Sequence, residues 1–513
     1  MDKVIEMKGI TKIFPGTIAN EDVDFELLEG ETHVLLGENG AGKTTLMNVL
    51  YGLYQPEKGE IYVKGNLVKM SDPNEAIKLG IGMVHQHFML VQNFTVAENI
   101  VLGSEPRKGV KLDIKKAIMD VKELSKKYGF AIEPNALISD ISVGQQQKVE
   151  ILKALYRGAS ILILDEPTAV LTPQEIEELG IIIRNLEKEG KSVILITHKL
   201  KEVMSMSDRV TILRRGKITG TVRTKDTSID QLAELMVGRK VNLVVNKKEA
   251  HVGRQILKIE NLVANDQRGL PAVDGVNLTV NAGEIVGIAG VDGNGQSELV
   301  ETLTGLRKPI SGSIILNDKN IFGKSPREII NDGVSHIPED RHKRGLILRY
   351  PLYENAILGN HNKKPFSNGI IMNYKSIREY CQKLIKDFDV RTPNDEVMAS
   401  ALSGGNQQKL IAAREISKDP DLLIASQPTR GLDVGAIEYI HKRLVMERDN
   451  GKAVLLVSLE LDEIMSLSDR IAVMYDGKIV AILDRKDATE NKLGILMAGG
   501  SLEDYKEEVK DIE

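Results

Sequence analysis

Gly37-Glu38-Asn39-Gly40-Ala41-Gly42-Lys43-Thr44-Thr45 sets a lysine and hydroxyls behind glycines at the spacing GxxxxGK[ST]. It follows the apolar run His33-Val34-Leu35-Leu36 and opens the helical pattern Thr45–Leu50, so it joins a strand to a helix. There the glycines let successive backbone N–H groups turn inward around a phosphate chain, and the helix N-terminus adds its positive end. Lys43 is expected to reach the β- and γ-phosphates, and Thr44 to hold Mg²⁺ through its hydroxyl. The spacing predicts a site for a nucleoside triphosphate.

Further polar residues stand at the ends of apolar runs. Ile81-Gly82-Met83-Val84-His85 ends at Gln86, Ile161-Leu162-Ile163-Leu164 ends at Asp165-Glu166-Pro167, and Val193-Ile194-Leu195-Ile196 ends at Thr197-His198. Uninterrupted apolar runs of this length predict parallel strands covered on both faces. The residues between them predict helices over 112–129, 146–156 and 173–189, and Glu60–Val63 predicts a further strand after a turn at 55–59. Alternating strands and helices give an α/β fold.

The 513 residues exceed what one core usually supports, so more than one domain is expected. A net charge of -5 argues against a dedicated nucleic-acid binder, and 4% aromatics with no Trp leaves few platforms for stacking bases. The lone Cys381 has no internal disulfide partner and reads as a buried, inert thiol. Neither a signal peptide nor a run of about 20 uncharged apolar residues is visible, so the chain is expected in the cytoplasm.

The pattern then recurs. Gly290-Val291-Asp292-Gly293-Asn294-Gly295-Gln296-Ser297 lies 253 positions after the first glycine-rich loop (290 − 37), and Ser403 lies 261 after Ser142. The change of offset places an eight-residue insertion in the second copy, within the stretch matching 87–141. A period this long signifies two copies of one domain. The expected division is 1–245, a short polar linker at 246–255, and 256–513.

These motifs, in this order and twice over, resemble the nucleotide-binding domains of ABC ATPases. The paired layout, Leu235-Met236-Val237-Gly238-Arg239 and Leu402-Ser403-Gly404-Gly405-Asn406-Gln407-Gln408-Lys409 are similar to the fused ATPases of simple-sugar and nucleoside importers. Gly82–Leu90 and Gln427–Ala436 are most similar to the guanosine-type importer ATPase. The resemblance implies two tandem P-loop domains, each with a RecA-like core, a small antiparallel β subdomain and a helical signature subdomain. It implies ATP and Mg²⁺, and a place at the cytoplasmic face of the membrane. Two transmembrane permease subunits and an extracellular or periplasmic solute-binding lipoprotein would be the partners. Membrane contact would run only through the permease, and nucleic acid would not be a partner. The apolar stretches Phe88–Val91 and Leu346–Tyr350 would either meet the permease or fill the helical subdomain. A monosaccharide importer and a soluble ribosome-associated ATPase are the alternatives.

The resemblance also implies head-to-tail pairing, with each ATP between the P-loop side of one copy and the signature side of the other. The first copy carries the P-loop side whole: Lys43, Thr44, Gln86 as sensor of Mg²⁺ and water, Asp165 for Mg²⁺, Glu166 as general base, His198 at the γ-phosphate and Phe14 against adenine. The second copy has Gln296, Glu339, Ser426, Gln427 and Leu459 at the matching places. On the signature side the second copy keeps Ser403, Gly404, Gly405 and Asp433, whereas the first has Val143 and Thr172 for Gly404 and Asp433. One hydrolytic composite site and one degenerate site are expected. The basic run Arg341-His342-Lys343-Arg344 reads as a solvated loop.

Overall fold

The run Ile161–Asp165 is a strand with every residue buried, because both of its faces are covered. In the computed structural model, which describes residues 2–86, 88–109, 111–168, 171–238, 245 and 247–501, it belongs to a six-stranded sheet. The strand order across that sheet is Lys217–Arg223, Arg209–Arg214, Thr32–Leu36, Ser192–Thr197, Ile161–Asp165 and Ile81–Val84. All but the first run parallel, so their carboxyl ends share one edge. Thr197 pairs with Leu36, Ile196 with Asp165 and Val84 with Leu164, which brings residues 37–44, 198, 165–166 and 86 to that edge. Open α/β sheets bind ligands there.

A second, four-stranded antiparallel sheet packs on the first through the long hairpin Lys3–Phe14 and Thr17–Leu28, with Lys58–Val63 and Asn66–Val68 beside it. Helices Val96–Val101, Ile114–Tyr128 and Val143–Tyr156 form the helical subdomain. The last begins three residues before the expected 146, because Ser142 forms a capping box with Gln145 and Val143 takes the first turn. Asp113 caps the second, and Gly129 ends it in the left-handed conformation.

The chain divides into two units, 1–241 and 242–513. The second repeats the plan, with the order Val334–Ile337, Leu422–Ser426, Ala453–Val457, Ile285–Ala289, Arg470–Tyr475 and Lys478–Asp484. The stretch read as a linker is tied to the second unit from Lys247 onward. Its ammonium donates to the Leu467 and Ser468 carbonyls and to Asp469, at 2.8, 2.6 and 3.0 Å. Asn246 and Arg239 lie outside the described residues.

The eight extra residues of the second unit divide among three places. Asn99 and Asn355 occupy equivalent positions 256 apart (355 − 99), each binding the backbone of its own preceding loop, so three residues enter before Asn355. The helix caps Asp113 and Asn373 are 260 apart, which adds four more, and the bridges Thr95–Leu137 and Pro351–Met398 close the count at 261. The first insertion forms a π-helical turn, Arg341–Gly345, capped by Asp340. The basic run is thus a helical turn whose His342, Lys343 and Arg344 stay exposed, as expected of a solvated run, while three of its four side chains also find partners. Arg341 donates to the Arg430 carbonyl at 3.0 Å, His342 meets Gln407 at 3.0 Å, and Arg344 pairs with Glu301.

The two apolar stretches are split between core and surface. Leu346 is buried, whereas Met89 is 66% exposed and Ile347 and Tyr350 are exposed to a lesser degree. Cys381 is buried, and burial pushes its thiol up to about 12. Among the described residues, no helix is long and apolar enough to cross a membrane.

Candidate active site

Gly42 precedes the helix Lys43–Leu50 with φ at 103°, in the left-handed region. A Cβ there would stand 2.2 Å from the Ala19 carbonyl oxygen, so only glycine lets the loop pass under the hairpin. Asn20, which no motif marked, fixes the same junction by donating to the Gly42 carbonyl at 3.1 Å. The loop is buried at Gly37 and Ala41, open at Asn39 and Gly40, and half-buried at Glu38 and Thr45. The Lys43 ammonium is buried and donates to the carbonyls of Gly37 and Glu38 at 2.7 and 3.0 Å. Burial draws its pKa down, opposed by the charges of Glu166, Asp165 and Glu38.

Thr44, at the helix start, donates its hydroxyl to Asp165 Oδ1 at 3.4 Å. Burial pushes the Asp165 carboxyl up to about 6, Thr44 and Lys43 pulling it down and Glu166 adding to the rise. A buried carboxylate so disfavoured, beside a hydroxyl on the phosphate loop, is a hard-oxygen pair suited to a divalent cation that keeps water and phosphate as its other ligands. The residues present fit Mg²⁺.

Glu166 follows with φ at 46°, and its N–H donates to Ile196 O at 2.9 Å. A left-handed non-glycine costs on the order of 1–2 kcal/mol and turns the carboxylate off the strand end. Glu166 Oε2 accepts from Gln86 Nε2 at 3.1 Å, and Oε1 meets His198 Nδ1 at 3.0 Å. Burial opposes its ionisation, but the hydrogen bond and charge of His198, with Lys43 and Lys199, hold it below the usual carboxylate range. An ionised carboxylate fixed by two side chains can take a proton from water. Phe14 is half-buried at the hairpin end, edge-on to Tyr54 with ring centroids 5.3 Å apart.

The second unit keeps this backbone without its chemistry. Gly295 and Gln427 have φ of 99° and 47°, matching Gly42 and Glu166. Gln296 is buried and donates to Val291 O at 3.1 Å, while Ser297 donates to Glu339 at 3.2 Å and Glu339 pairs with Arg430. Gln427 Oε1 accepts from the Leu459 N–H at 3.4 Å.

The signature helices also differ. Ser142 accepts from Gln145 N at 3.2 Å, so its hydroxyl serves as the helix cap. Ser403 makes no side-chain cap, and its hydroxyl accepts instead from Asn406 Nδ2 at 3.0 Å. A Cβ on Gly405 would meet the Asp433 carboxylate at 3.2 Å, and one on Gly404 the Arg341 guanidinium at 3.0 Å. Asp433 caps its helix by accepting from Ala436 N at 2.7 Å, and Thr172 caps the matching helix of the first unit. At that position the two units share a role and differ in charge.

The family model for the ABC transporter matches residues 20–169 and again 273–430. The chain belongs to the ABC transporter family. Members with curated descriptions extend the likeness over nearly its whole length. The guanosine import ATP-binding protein NupO of Bacillus subtilis is 57% identical over 501 residues, covering 98% of each chain. The nucleoside import ATP-binding protein NupA of Lactococcus lactis is 56% identical over 501 residues, 98% of this chain and 99% of its own. The ribose import ATP-binding protein RbsA of Clostridium tetani is 40% identical over 491 residues, 95% of this chain and 96% of its own. Among solved structures, an archaeal ribosome recycling factor in complex with a ribosomal stalk protein aligns over 93% of this chain and 90% of its own. Its TM-score is 0.58 at 19% identity, a likeness of fold. As a member of this family, the chain binds ATP.

Proposed function

We propose that the chain is the ATP-hydrolysing subunit of a nucleoside importer, with one hydrolytic site. The observation that carries the reading is the Gln86–Glu166–His198 cluster beside Lys43 and Thr44 in the first unit, set against Gln296, Ser426 and Gln427 in the second. Identity of 57% to a guanosine import protein, against 46% to a glucose import protein and 40% to a ribose import protein, supports nucleosides over monosaccharides as the solute.

The phosphate chain of ATP lies along residues 37–45, with Lys43 turned from the loop carbonyls to the β- and γ-oxygens. Phe14 stacks on the base. Thr44, Asp165 and Gln86 would hold Mg²⁺, which would supply charge neutralisation for the phosphates. Glu166 orients the attacking water and accepts its proton; His198 steadies Glu166 and contacts the γ-phosphate. The second unit contributes Ser403, Gly404, Gly405 and Asp433 to the same ATP. Support for that pairing is the complementary pattern of losses, since random decay would scatter them over both P-loops and both signature helices. ATP-driven closing and reopening of the two units then moves a pair of permease subunits on the cytoplasmic face of the membrane, fed by an external solute-binding protein.

ATP turnover by Glu166→Gln and by Gln427→Glu, side by side, tests the one-site reading. The first loses about 10²–10⁴-fold in kcat, the usual worth of a general base, and the second stays within about two-fold of wild type. Substantial turnover by Glu166→Gln overturns it. In the reconstituted transporter a purine nucleoside raises turnover and ribose does not; the reverse assigns the chain to monosaccharides.

A further inference from the structure

We infer that Glu202 is a positioning residue for hydrolysis: it clamps together the two loops that carry Glu166 and His198. The inference rests on the reading of those two residues as the hydrolytic pair. Glu202 lies on the helix Leu200–Met206 and is buried. Its Oε1 accepts from the Thr168 hydroxyl, two residues after Glu166. Its Oε2 accepts from the Thr197 hydroxyl at 2.7 Å, the residue before His198. Thr197 Oγ1 in turn accepts from Lys199 N at 3.0 Å, closing the turn around His198. One carboxylate thus sets the spacing of two loops whose side chains meet at 3.0 Å. Inside the core an unmade hydrogen bond at either hydroxyl is costly.

The second unit supplies an internal comparison, since there the clamp is half open. Glu463, 261 positions on, accepts from Thr429 at 2.9 Å, as Glu202 does from Thr168. Its same oxygen, Oε1, also meets His441 Nε2 at 2.8 Å, and its Oε2 has no hydrogen-bond partner. Ser458, which matches Thr197, accepts from Glu460 N at 3.1 Å and leaves the carboxylate alone. His441 stands where the first unit has Gly180 (441 − 180 = 261), so the first unit has no side chain there to draw the carboxylate away. The unit with the intact glutamate–histidine pair closes the clamp. The unit with Gln427 and Leu459 does not.

Steady-state ATP hydrolysis by the full-length chain tests the clamp, with variants Glu202→Gln, Thr197→Val and the matched Glu463→Gln. An amide cannot accept from both threonines as the carboxylate does, and Thr197→Val keeps the volume while deleting one arm. Both first-unit variants lose about 10- to 100-fold in kcat, the scale of a misplacement near 1 Å, with KM for ATP within about three-fold of wild type. Glu463→Gln stays within about two-fold. A proportional rise in KM, or an equal loss in Glu463→Gln, shows a general structural effect and overturns the clamp. So does normal kcat in Thr197→Val. Glu166→Gln runs alongside: normal kcat in Glu202→Gln with a dead Glu166→Gln sinks the clamp alone, whereas turnover by Glu166→Gln sinks the reading beneath it.

Discussion

His336 makes the second unit acid-sensitive. It lies on the strand Val334–Ile337, and its Nε2 is shut from water without a hydrogen-bond partner. Burial lowers its pKa to about 4 from 6.5, Glu415 opposing and Arg344, Lys418 and Arg414 adding to the fall. A histidine depressed in the folded state contributes stability that is complete above the unfolded value and lost as pH falls through the folded one. The window is therefore pH 6.5 down to 4. At pH 5, 1.5 units below the unfolded value, the loss is about 2 kcal/mol at 1.36 kcal/mol per unit. The first unit has buried Met83 at the matching place (336 − 253 = 83). His336→Met therefore borrows a side chain that the same fold accepts and removes both the titration and the unpaired nitrogen. Thermal unfolding of both proteins is followed by calorimetry at pH 7.5 and 5.0, without nucleotide. Acidification costs the wild-type second-unit transition about 2 kcal/mol more than it costs the variant. For a unit of this size that is a Tm difference of about 4–8 °C. Every other titrating group is common to the two proteins and cancels. Equal pH dependence in the two would refute the assignment of the shift to His336.

Three further outcomes follow from the same geometry. Gly404→Val gives the second unit's signature helix the residue found at Val143; its branched side chain meets Arg341, and ATP turnover falls at least ten-fold while ATP binding persists, read by kcat and nucleotide Kd. Cys381, with its thiol pushed up to about 12, resists iodoacetamide at pH 8 in the native chain and reacts within minutes in denaturant, read by mass spectrometry. Leu195→Ala, in the fully buried strand between the P-loop strand and the Asp165 strand, destabilises the first unit by about 2–5 kcal/mol and lowers its Tm with little change in the second unit's transition.

Much of this protein is legible in the order of its residues. Lys43 behind four positions and two glycines, Asp165-Glu166 at the end of an apolar run and His198 at the end of another are local patterns. Each reports itself because strand burial and loop conformation depend on near neighbours. The duplication and the unequal fate of its halves need only a comparison of positions such as Lys43 with Gln296. What no local pattern contains is adjacency. That Ser192–Thr197 lies between Thr32–Leu36 and Ile161–Asp165, and so lays His198 against Glu166, is decided by sheet order. The left-handed turn at Glu166 is held by a hydrogen bond to Ile196, thirty residues on. Charge predicts water around Arg341–Arg344, and three of the four are exposed, but their partners Glu301, Gln407 and Arg430 are distant in the chain. Glu202 carried no mark at all, since its meaning lies in two hydroxyls from two loops. Short-range sterics and burial wrote the fold class and the loop chemistry into the sequence; tertiary packing alone decided which of those groups touch.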